Sequence, residues 1–463
     1  MENIIPKRTA RLLIILLDVL FILISYSAAF YIVSHFRPID ARNIDAFISI
    51  IPWILLIGIC FLYVFELDRL VQRNQSDLVK KLIVASASIM VLTVAASFIF
   101  REFALPRSVI LLAHIFIFGS LFFWKSFFLR MNTKKFRDKA VFIGCEEEFE
   151  MMQGNLISSK MISKDTGVTL LNPDQPLNQM KLKIQPFNFI FIGSSLNEEV
   201  KNDILYFAMK QKKFVYMIPN TNDLFIMKTS FTTVGDTMVL QVKPFTLSNA
   251  QTLLKRALDV SVSLILLLLT LPVMVLTAIL IKLEDGGPFF FKQERVGMDQ
   301  RPFHILKFRS MIMDAEAKTG PTLATSQDAR ITKIGAFIRR TRIDELPQLL
   351  NVLRGDMSLV GPRPERDFFA KQFEKENKWF YYRNSVKPGI TGYAQVLGNY
   401  TTSPERKLKF DLYYIRHYSI WLDIVLLFRT VLVVLNKSQA EGQAEKLERS
   451  LYKSKKGAIV NDR

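Results

Sequence analysis

The chain has 463 residues, of which 50% are hydrophobic, and a formal net charge of +19, which would fit anionic lipid, nucleic acid or a phosphorylated substrate as a partner. A mean hydropathy of +0.21 argues against an ordinary soluble protein and predicts membrane segments. Two distant cysteines and four scattered histidines exclude a disulfide framework and a cysteine–histidine metal cluster.

Four apolar runs open the chain, and each approaches the roughly 20 residues that span a bilayer as a helix. Twelve basic residues flank these runs on the side of the N-terminus, against four on the other side. Because cytoplasmic loops are enriched in lysine and arginine, we expect both ends of the bundle, and everything after it, to lie in the cytoplasm. The predicted four-span bundle covers residues 1–135, with spans at 12–36, 46–65, 82–100 and 108–129.

One acidic residue, Asp18, falls inside the first apolar run. A carboxylate within a bilayer is costly, so Asp18 is a candidate for a functional role. It could equally bind a neighbouring helix of the bundle, and we favour that interpretation.

Residues 136–250 have the pattern of a Rossmann-like α/β domain, with short apolar runs that predict buried strands and a crossover helix over 146–156. The glycine-rich fingerprint of dinucleotide-binding domains is absent. Three glutamates, 146–148, come soon after Gly144, where a pyrophosphate would need backbone amides. We therefore predict a structural or regulatory domain, with dimerisation as one candidate role. The predicted strands are 140–144, 187–193 and 214–218.

A fifth apolar run, 258–281, differs from the first four because Pro272 stands in its middle and removes a helix hydrogen bond. The run could be a kinked span, which would put the rest of the chain on the other side of the membrane. Alternatively, residues 251–282 form a re-entrant membrane hairpin that leaves the last domain in the cytoplasm. We expect the hairpin, with its break at Pro272.

The remaining chain divides into a charged, turn-rich segment, 283–436, and a polar tail, 437–463. The segment predicts a small α/β domain, and its last stretch, 418–436, mixes apolar and polar residues as a helix in the membrane interface does. The predicted fold is therefore that of a mixed membrane protein. It combines a four-helix bundle, a Rossmann-like domain, a re-entrant hairpin and a small α/β domain with interfacial helices.

Two cations, Lys307 and Arg309, alternate along a predicted strand and so lie on one face of it. Two cations on one face suit a diphosphate, and we predict that both residues bind substrate. A solvated basic edge is the alternative reading of this motif taken alone.

The segment from Arg339 to Gly355 predicts a capped amphipathic helix, with Asp344 as its N-cap and Pro347 in its first turn. A helix N-terminus attracts phosphate, and Arg339 could hold that phosphate. Asp344, next to Glu345, could bind Mg²⁺ or attack phosphorus as a carboxylate nucleophile. The spacing of the residues leaves these two roles open.

Two further turns each carry a cation that we predict to bind substrate. The prolines of Gly361–Pro364 stiffen the backbone around Arg363, and a tight turn at 387–392 begins with Lys387. The sequence contains no Walker A motif and no serine–histidine–aspartate order.

From about residue 255 to 436 the chain closely resembles the bacterial sugar transferase family, the polyprenyl-phosphate hexose-1-phosphate transferases, and its first 250 residues resemble the long form of that family more weakly. Many long motifs match in the same order, which makes the resemblance specific. They are KRALDV at 255–260, FKQERVG at 291–297, KFRSM at 307–311, RIDELPQLLNVLRGDMSLVGPRP at 342–364, KPGITGYAQV at 387–396 and DLYYIRHYSIWLDIVLLFRT at 411–430.

The resemblance implies a reaction and a role for individual residues. Asp344 would attack the sugar-bearing phosphate of a UDP-sugar and bind Mg²⁺, and Glu345 would position the site. Lys307, Arg339 and Arg363 would hold the phosphates. Undecaprenyl phosphate would then take the sugar-1-phosphate from the aspartyl intermediate, after release of UMP. The transfer would be the first membrane step of exopolysaccharide, capsule or O-antigen synthesis.

The resemblance also implies a bacterial inner-membrane, multi-pass protein whose catalytic domain faces the cytoplasm. We expect UDP-sugar, undecaprenyl phosphate and membrane lipid as partners, a homodimer as an open option, and no nucleic acid. Two rivals are a membrane-bound nucleotide-sugar dehydratase, which would need the absent glycine-rich loop, and a non-catalytic scaffold for polysaccharide export. The motifs leave the identity of the sugar open, because they address the diphosphate that all UDP-sugars share.

Overall fold

The computed structural model describes residues 8–36, 41–68, 75–99, 106–132, 140–158, 168–313, 328, 330–398 and 403–435. The chain divides into two compact units, Met1–Asn220 and Thr221–Arg463. In the described residues, five helices are long and apolar enough to cross a membrane, judged by length and composition.

Four of these helices form a bundle in the first unit: α1 (Arg8–Phe36), α2 (Ala41–Val64), α3 (Gln75–Ile99) and α4 (Arg107–Asn132). They correspond to the four predicted spans, and apolar side chains cover their outer surfaces.

Asp18 of α1 is fully buried in this bundle and forms an ion pair with Lys125 of α4 (2.7 Å). Trp124 donates to the same carboxylate (3.0 Å), and Lys125 also donates to the carbonyl oxygen of Leu67 (3.1 Å). These contacts satisfy the carboxylate within the bundle, which supports its interpretation as a residue that binds a neighbouring helix.

The rest of the first unit is a parallel α/β sheet of the predicted Rossmann-like kind, with strand order β2-β1-β3-β4. Three strands and the crossover helix occupy the predicted positions. The second strand was not predicted, because only its first and last residues are buried and it shows neither an apolar run nor alternation. The elements are β1 (Ala140–Ile143), α5 (Glu146–Ser158), β2 (Val168–Leu171), α6 (Leu177–Ile184), β3 (Phe189–Ile192), α7 (Glu198–Lys210) and β4 (Phe214–Met217).

The second unit starts at Thr221, earlier than the expected boundary at 250, because Leu224 and Phe245 belong to its hydrophobic core. Its first half comprises α8 (Thr221–Ile226), the antiparallel hairpin of β5 (Ser230–Val234) and β6 (Thr237–Gln241), α9 (Asn249–Asp285), and the antiparallel pair β7 (Phe290–Val296) and β8 (Pro302–Phe308). Its second half comprises α10 (Lys333–Arg340), α11 (Gln348–Arg354), β9 (Ser358–Val360), α12 (Asp367–Glu376), β10 (Gly389–Thr391), α13 (Tyr393–Leu397), α14 (Pro404–Arg416) and α15 (Ile420–Leu435).

The fifth apolar run forms one continuous helix, α9, with Pro272 in its interior. The prediction of a break at Pro272 is therefore wrong for the secondary structure. Proline removes one helix hydrogen bond and kinks the axis, but the rest of the hydrogen-bonded ladder can continue past it.

Both ends of α9 nevertheless contact the same unit. Near its start, Arg256 donates to the carbonyl oxygen of Val352 (2.5 Å), and in its last turn Asp285 forms an ion pair with Arg309. Arg256 and Asp285 would lie about 44 Å apart along a straight helix. Their partners Val352 and Arg309 lie closer together than that, because the amide of Leu306, on the strand just before Arg309, donates to the side chain of Asn351, next to Val352 (2.9 Å). The two contacts therefore favour a helix that bends and returns. Its central residues, such as Leu268 and Leu269, expose their apolar side chains.

Candidate active site

The two acidic residues of the central motif lie in a tight turn. Arg342 has a left-handed backbone (φ 57°) and is followed by a 3-10 helix over Ile343–Glu345. Helix α11 begins only after Pro347, so the prediction that Asp344 caps this helix is wrong. The residues predicted to form the first turn of this helix form the 3-10 turn instead. The two acidic side chains therefore lie next to each other before the helix begins.

Glu345 is held by three cations. Its carboxylate accepts a hydrogen bond from Arg363 (2.9 Å) and lies 3.4 Å from the ammonium of Lys307 and 3.6 Å from the guanidinium of Arg342. Burial alone would raise the pKa of Glu345, but the three cations outweigh burial and hold this pKa well below its usual range. Glu345 is therefore ionised at neutral pH and holds the surrounding cations in place.

Asp344 is buried beside Glu345, but it forms no hydrogen bond or ion pair with any residue in the described part of the chain. Burial, and then the charge of Glu345, raise the pKa of Asp344 to about 6 against the opposing charges of nearby lysine and arginine. Asp344 is thus a carboxylate with free lone pairs at neutral pH, which is what a nucleophile or a metal ligand requires.

Arg339 is the predicted phosphate-holding cation that lies in the last turn of α10. It is partly exposed and, like Asp344, has no partner among the described residues. It lies near enough to lower the pKa of Asp344 by its charge. The site therefore brings together an unpaired cation and an unpaired carboxylate. A phosphorylated ligand would give the cation a partner and would place its phosphorus atom, or a metal ion bound to it, next to the carboxylate.

Arg363 is positioned by the two short parallel strands β9 and β10. Gly361, directly after β9, packs so closely on the neighbouring chain that an added Cβ would lie 2.4 Å from the carbonyl oxygen of Lys387. The backbone carbonyl of Arg363 accepts a hydrogen bond from Arg383 (2.8 Å), and Arg383 is itself buried in an ion pair with Asp411 (2.9 Å). Burial raises the pKa of Asp411 to about 6 in spite of this partner.

Strand β9 is held by α9 through Lys255 and Asp259, two residues of the KRALDV motif to which the sequence pattern gave no role of their own. Lys255 donates to the carbonyl oxygen of Val360 (2.9 Å) and forms a buried ion pair with Asp423 of α15 (2.6 Å). Asp259, one turn later, accepts from the hydroxyl of Ser358 (3.0 Å). A signal in the sequence could have indicated this network: charged residues stand at the start of an apolar helix, and buried charges need partners.

Two of the predicted substrate-binding cations lie outside this cluster. Arg309 follows the end of β8, packs against Gly287 and forms an ion pair with Asp285, whereas Lys307 is paired with Glu345. Lys387 lies near Gly355, at the opposite end of α11 from the two acidic residues. The structure therefore brings together Asp344, Glu345, Lys307, Arg339 and Arg363, and leaves Arg309 and Lys387 apart.

The residues fit a magnesium ion that is shared with substrate. In the part of the chain that the structure describes, no group of three or more histidine, cysteine or acidic residues could hold a metal ion by itself. Asp344 can offer one carboxylate, whereas Glu345 is engaged by cations. Mg²⁺ commonly binds through one or two carboxylates, substrate phosphates and water, so one free acid beside cations that could hold a phosphate would be a sufficient protein contribution.

Comparison with known proteins gives matches to the second unit. The family model described as bacterial sugar transferase matches residues 250–437. The UDP-N-acetylgalactosamine-undecaprenyl-phosphate N-acetylgalactosaminephosphotransferase of Aeromonas hydrophila is 46% identical over 185 residues, which are 39% of this chain and 44% of that protein. The UDP-glucose:undecaprenyl-phosphate glucose-1-phosphate transferase of Escherichia coli is 40% identical over 222 residues, which are 47% of this chain and 48% of that protein.

These alignments cover less than half of the two enzymes. A shorter protein of Bacillus subtilis, described provisionally as an undecaprenyl-phosphate N-acetylgalactosaminyl 1-phosphate transferase, is covered over 88% of its length. It is 48% identical over 176 residues, or 37% of this chain.

Proposed function

We infer the function from one premise: the chain belongs to the bacterial sugar transferase family. We propose that it transfers a sugar-1-phosphate from a UDP-sugar to undecaprenyl phosphate and releases UMP, as the first membrane step in the synthesis of a bacterial polysaccharide. The observation that carries the proposal is the pairing of an unpartnered, buried Asp344 with a neighbouring Glu345 that three cations surround.

The reaction that fits this arrangement has two displacements at one phosphorus atom. In the first, a carboxylate oxygen of Asp344 forms a bond to the sugar-bearing phosphorus, the bond from that phosphorus to the bridging oxygen breaks, and UMP leaves with the bonding electrons. In the second, an oxygen of undecaprenyl phosphate attacks the same phosphorus and the carboxylate of Asp344 is regenerated. Two separate steps suit a water-soluble donor and a lipid acceptor, since the two substrates need never be bound together.

The cations have a defined task in this scheme. Negative charge on the transferring phosphate needs fixed positive partners, and preorganised cations in a partly dry site provide them at little reorganisation cost. Arg339 has no competing partner, while Lys307 and Arg363 are aligned by Glu345. Mg²⁺ held by Asp344 would neutralise diphosphate charge when it is bound.

The membrane arrangement forms part of the proposal. Because both ends of α9 contact the same unit, we propose that α9 enters the membrane and returns on one side, which keeps the active site on the cytoplasmic face of the inner membrane. A tag at the C-terminus should then be accessible to an impermeant reagent only after the inner membrane is opened. Labelling of intact spheroplasts from outside would contradict this topology.

The experiment that tests the reaction is UMP release from membranes that contain the full chain, supplied with Mg²⁺, undecaprenyl phosphate and a panel of UDP-sugars. Asp344→Asn is the test variant and Asp367→Asn is its control, because Asp367 is an exposed acid on α12 with a surface lysine partner. We expect UMP with one or a few sugars, lost on chelation of metal and in Asp344→Asn, and retained in the control. Absence of UMP with every sugar, from folded protein, would contradict the proposed function.

A direct attack of the lipid phosphate on the donor is the second candidate, with Asp344 acting only as a metal ligand. A single-turnover reaction without undecaprenyl phosphate separates the two. The aspartyl intermediate predicts one equivalent of UMP and a phosphosugar bound to protein, whereas direct attack predicts neither.

A further inference from the structure

The C-terminal end of α11 carries a pair of cations that the proposed reaction does not use. The ammonium of Lys387 and the guanidinium of Arg256 approach Gly355 from the start of β10 and of α9. They lie 3.5 Å and 3.8 Å from the position that a Cβ would take on this glycine, so their nitrogens are no more than about 7 Å apart. A tetrahedral phosphate whose oxygens accept at about 2.8 Å can bridge two cations at this spacing.

No salt bridge joins either cation of this pair to an acidic residue in the part of the chain that the structure describes. Lys387 is partly buried and forms no hydrogen bond or ion pair with the described residues. Arg256 donates to the carbonyl oxygens of Val352 (2.5 Å) and Leu353 (2.7 Å), which leaves further N–H groups of its guanidinium available. Burial, and then the charge of Arg256, lower the pKa of Lys387. The more distant charges of Asp259 and Asp356 oppose this lowering without cancelling it, so an anion held between the two cations would stabilise the charge of Lys387.

The acidic residues nearby are already occupied. Asp259 accepts from the hydroxyl of Ser358 and the amide of Leu359, both at 3.0 Å. Asp356 is exposed and lies within 3.3 Å of the side-chain amide of Asn351. No ion pair links either carboxylate to Lys387 in the described structure.

The location of the pair indicates where its anion comes from. Arg256 lies in the opening turns of α9, where Leu253 and Leu254 are 71% and 56% exposed, and the apolar part of α9 that is suited to a membrane follows directly. Cations at this depth meet the phosphates of lipid headgroups. Asp344 lies at the other end of α11, roughly 15 Å away by helix length, so a phosphate held by Lys387 cannot be the one that reacts.

We propose that Lys387 and Arg256 form a binding site for the phosphate of an anionic bilayer lipid, separate from the site that binds the two substrates. The bound headgroup neutralises both cations and fixes α9 against the C-terminal end of α11 at the membrane surface. This inference needs the membrane placement of α9, but not the proposed sugar transfer.

The test is lipid retention by the full chain in nanodiscs of phosphatidylcholine with a minority of phosphatidylglycerol, read by native mass spectrometry. Lys387→Met is the test variant, Lys387→Arg restores the charge, and Lys375→Met is the matched control, because Lys375 is an exposed lysine on α12. We expect wild type, Lys387→Arg and Lys375→Met to retain phosphatidylglycerol above its share of the bilayer. Lys387→Met should retain at least several-fold less.

Equal retention by wild type and Lys387→Met would overturn the proposal. Millimolar inorganic phosphate should not displace the lipid, and if it does so in wild type, the site takes soluble phosphate and the lipid assignment is wrong. Displacement of the lipid by UDP would show that Lys387 belongs to the binding site of the UDP-sugar, and would also overturn the proposal.

A second measurement on the wild-type protein does not depend on any variant. Backbone hydrogen exchange over 249–260 should slow in nanodiscs with phosphatidylglycerol relative to pure phosphatidylcholine, and unchanged exchange would count against the site. Neither readout requires turnover, so failure of UMP release and failure of the lipid site are distinguishable.

Discussion

Glu148 in the first unit and the Asp344–Glu345 pair in the second are both buried or half-buried acids near backbone turns, yet they have different surroundings. Glu148 accepts hydrogen bonds from the amide (3.2 Å) and the hydroxyl (2.5 Å) of Ser194. Its carboxylate lies so close to Gly193 that a Cβ there would come within 2.3 Å of it. Glu345, by contrast, is bound by three cations, and Asp344 beside it has no partner in the described residues.

The difference shows that a carboxylate can serve the fold or remain available to a ligand, depending on the groups around it. Between parallel strands β1 and β3, Glu148 occupies the edge where a dinucleotide phosphate would approach, and it takes the backbone amide that such a phosphate would need. The acidic group there finds its hydrogen-bond donors within the domain itself. In the second unit, the cations outnumber the acids and one acid is free, so charge and lone pairs remain available to a substrate.

The largest expected effect is that of Asp344→Asn, which keeps the shape of the side chain and removes its charge. UMP release should fall by at least ~10³-fold, because an amide cannot serve as the nucleophile. The fold should gain stability at pH 7, by about 1–3 kcal/mol, because a pKa raised from 3.8 to about 6 means that ionising Asp344 costs free energy in the folded state.

This gain should be absent at pH 4, below the raised folded-state pKa, where Asp344 is protonated in the folded protein. Steady-state rates and urea unfolding of the same preparations check both parts. A loss of activity together with a loss of stability would mean that Asp344 has a structural role.

Glu345→Gln is expected to have the next largest effect, a ~10²-fold loss of UMP release. The change leaves Lys307 and Arg363 without their charged partner and misaligns them. The loss should appear both in kcat and in KM for the UDP-sugar. The matched change Glu148→Gln in the first unit should leave both constants within about twofold of wild type, and a similar loss in the two variants would remove the contrast between the units.

The pH dependence of the reaction tests the electrostatics of the pair. The active form of Asp344 is its carboxylate, so kcat should be constant well above pH 6 and should fall about tenfold per unit of pH below about 6. Glu345→Gln removes a negative neighbour, so in that variant the fall should begin at a lower pH. A profile of the remaining activity that is unchanged or shifted upward would show that Glu345 does not raise the pKa of Asp344.

The smallest effect is expected for the stability of Glu148→Gln. The amide of glutamine can still accept a hydrogen bond from Ser194, but it loses the stronger charge-assisted bond, which should destabilise the sheet by about 1 kcal/mol. Hydrogen exchange over β1 and β3 should become faster, while exchange over α11 stays the same. Unchanged exchange in the sheet would show that the carboxylate contributes nothing to the domain.

The local pattern of the sequence predicted the elements whose signals are local. Apolar runs of bilayer length predicted the four spans, and short apolar runs predicted β1, β3 and β4. Strand β2 was not predicted, because its burial depends on the neighbouring strands of the sheet and not on its own sequence pattern. Asp344 was predicted as a helix cap because its neighbours favour one, but the left-handed Arg342 and a 3-10 turn come first.

Sequence alone therefore determined the apolar segments, the α/β periodicity and the set of candidate residues, because these depend on side-chain chemistry at fixed spacing along the chain. Tertiary structure decided which candidates meet. It brought Lys307 and Arg363 to Glu345, directed Arg309 to Asp285, and set Lys387 at the far end of α11. It also joined Lys255 to Asp423, 168 residues away. Such pairings depend on how distant segments pack, since a buried charge takes whichever partner the fold brings within reach.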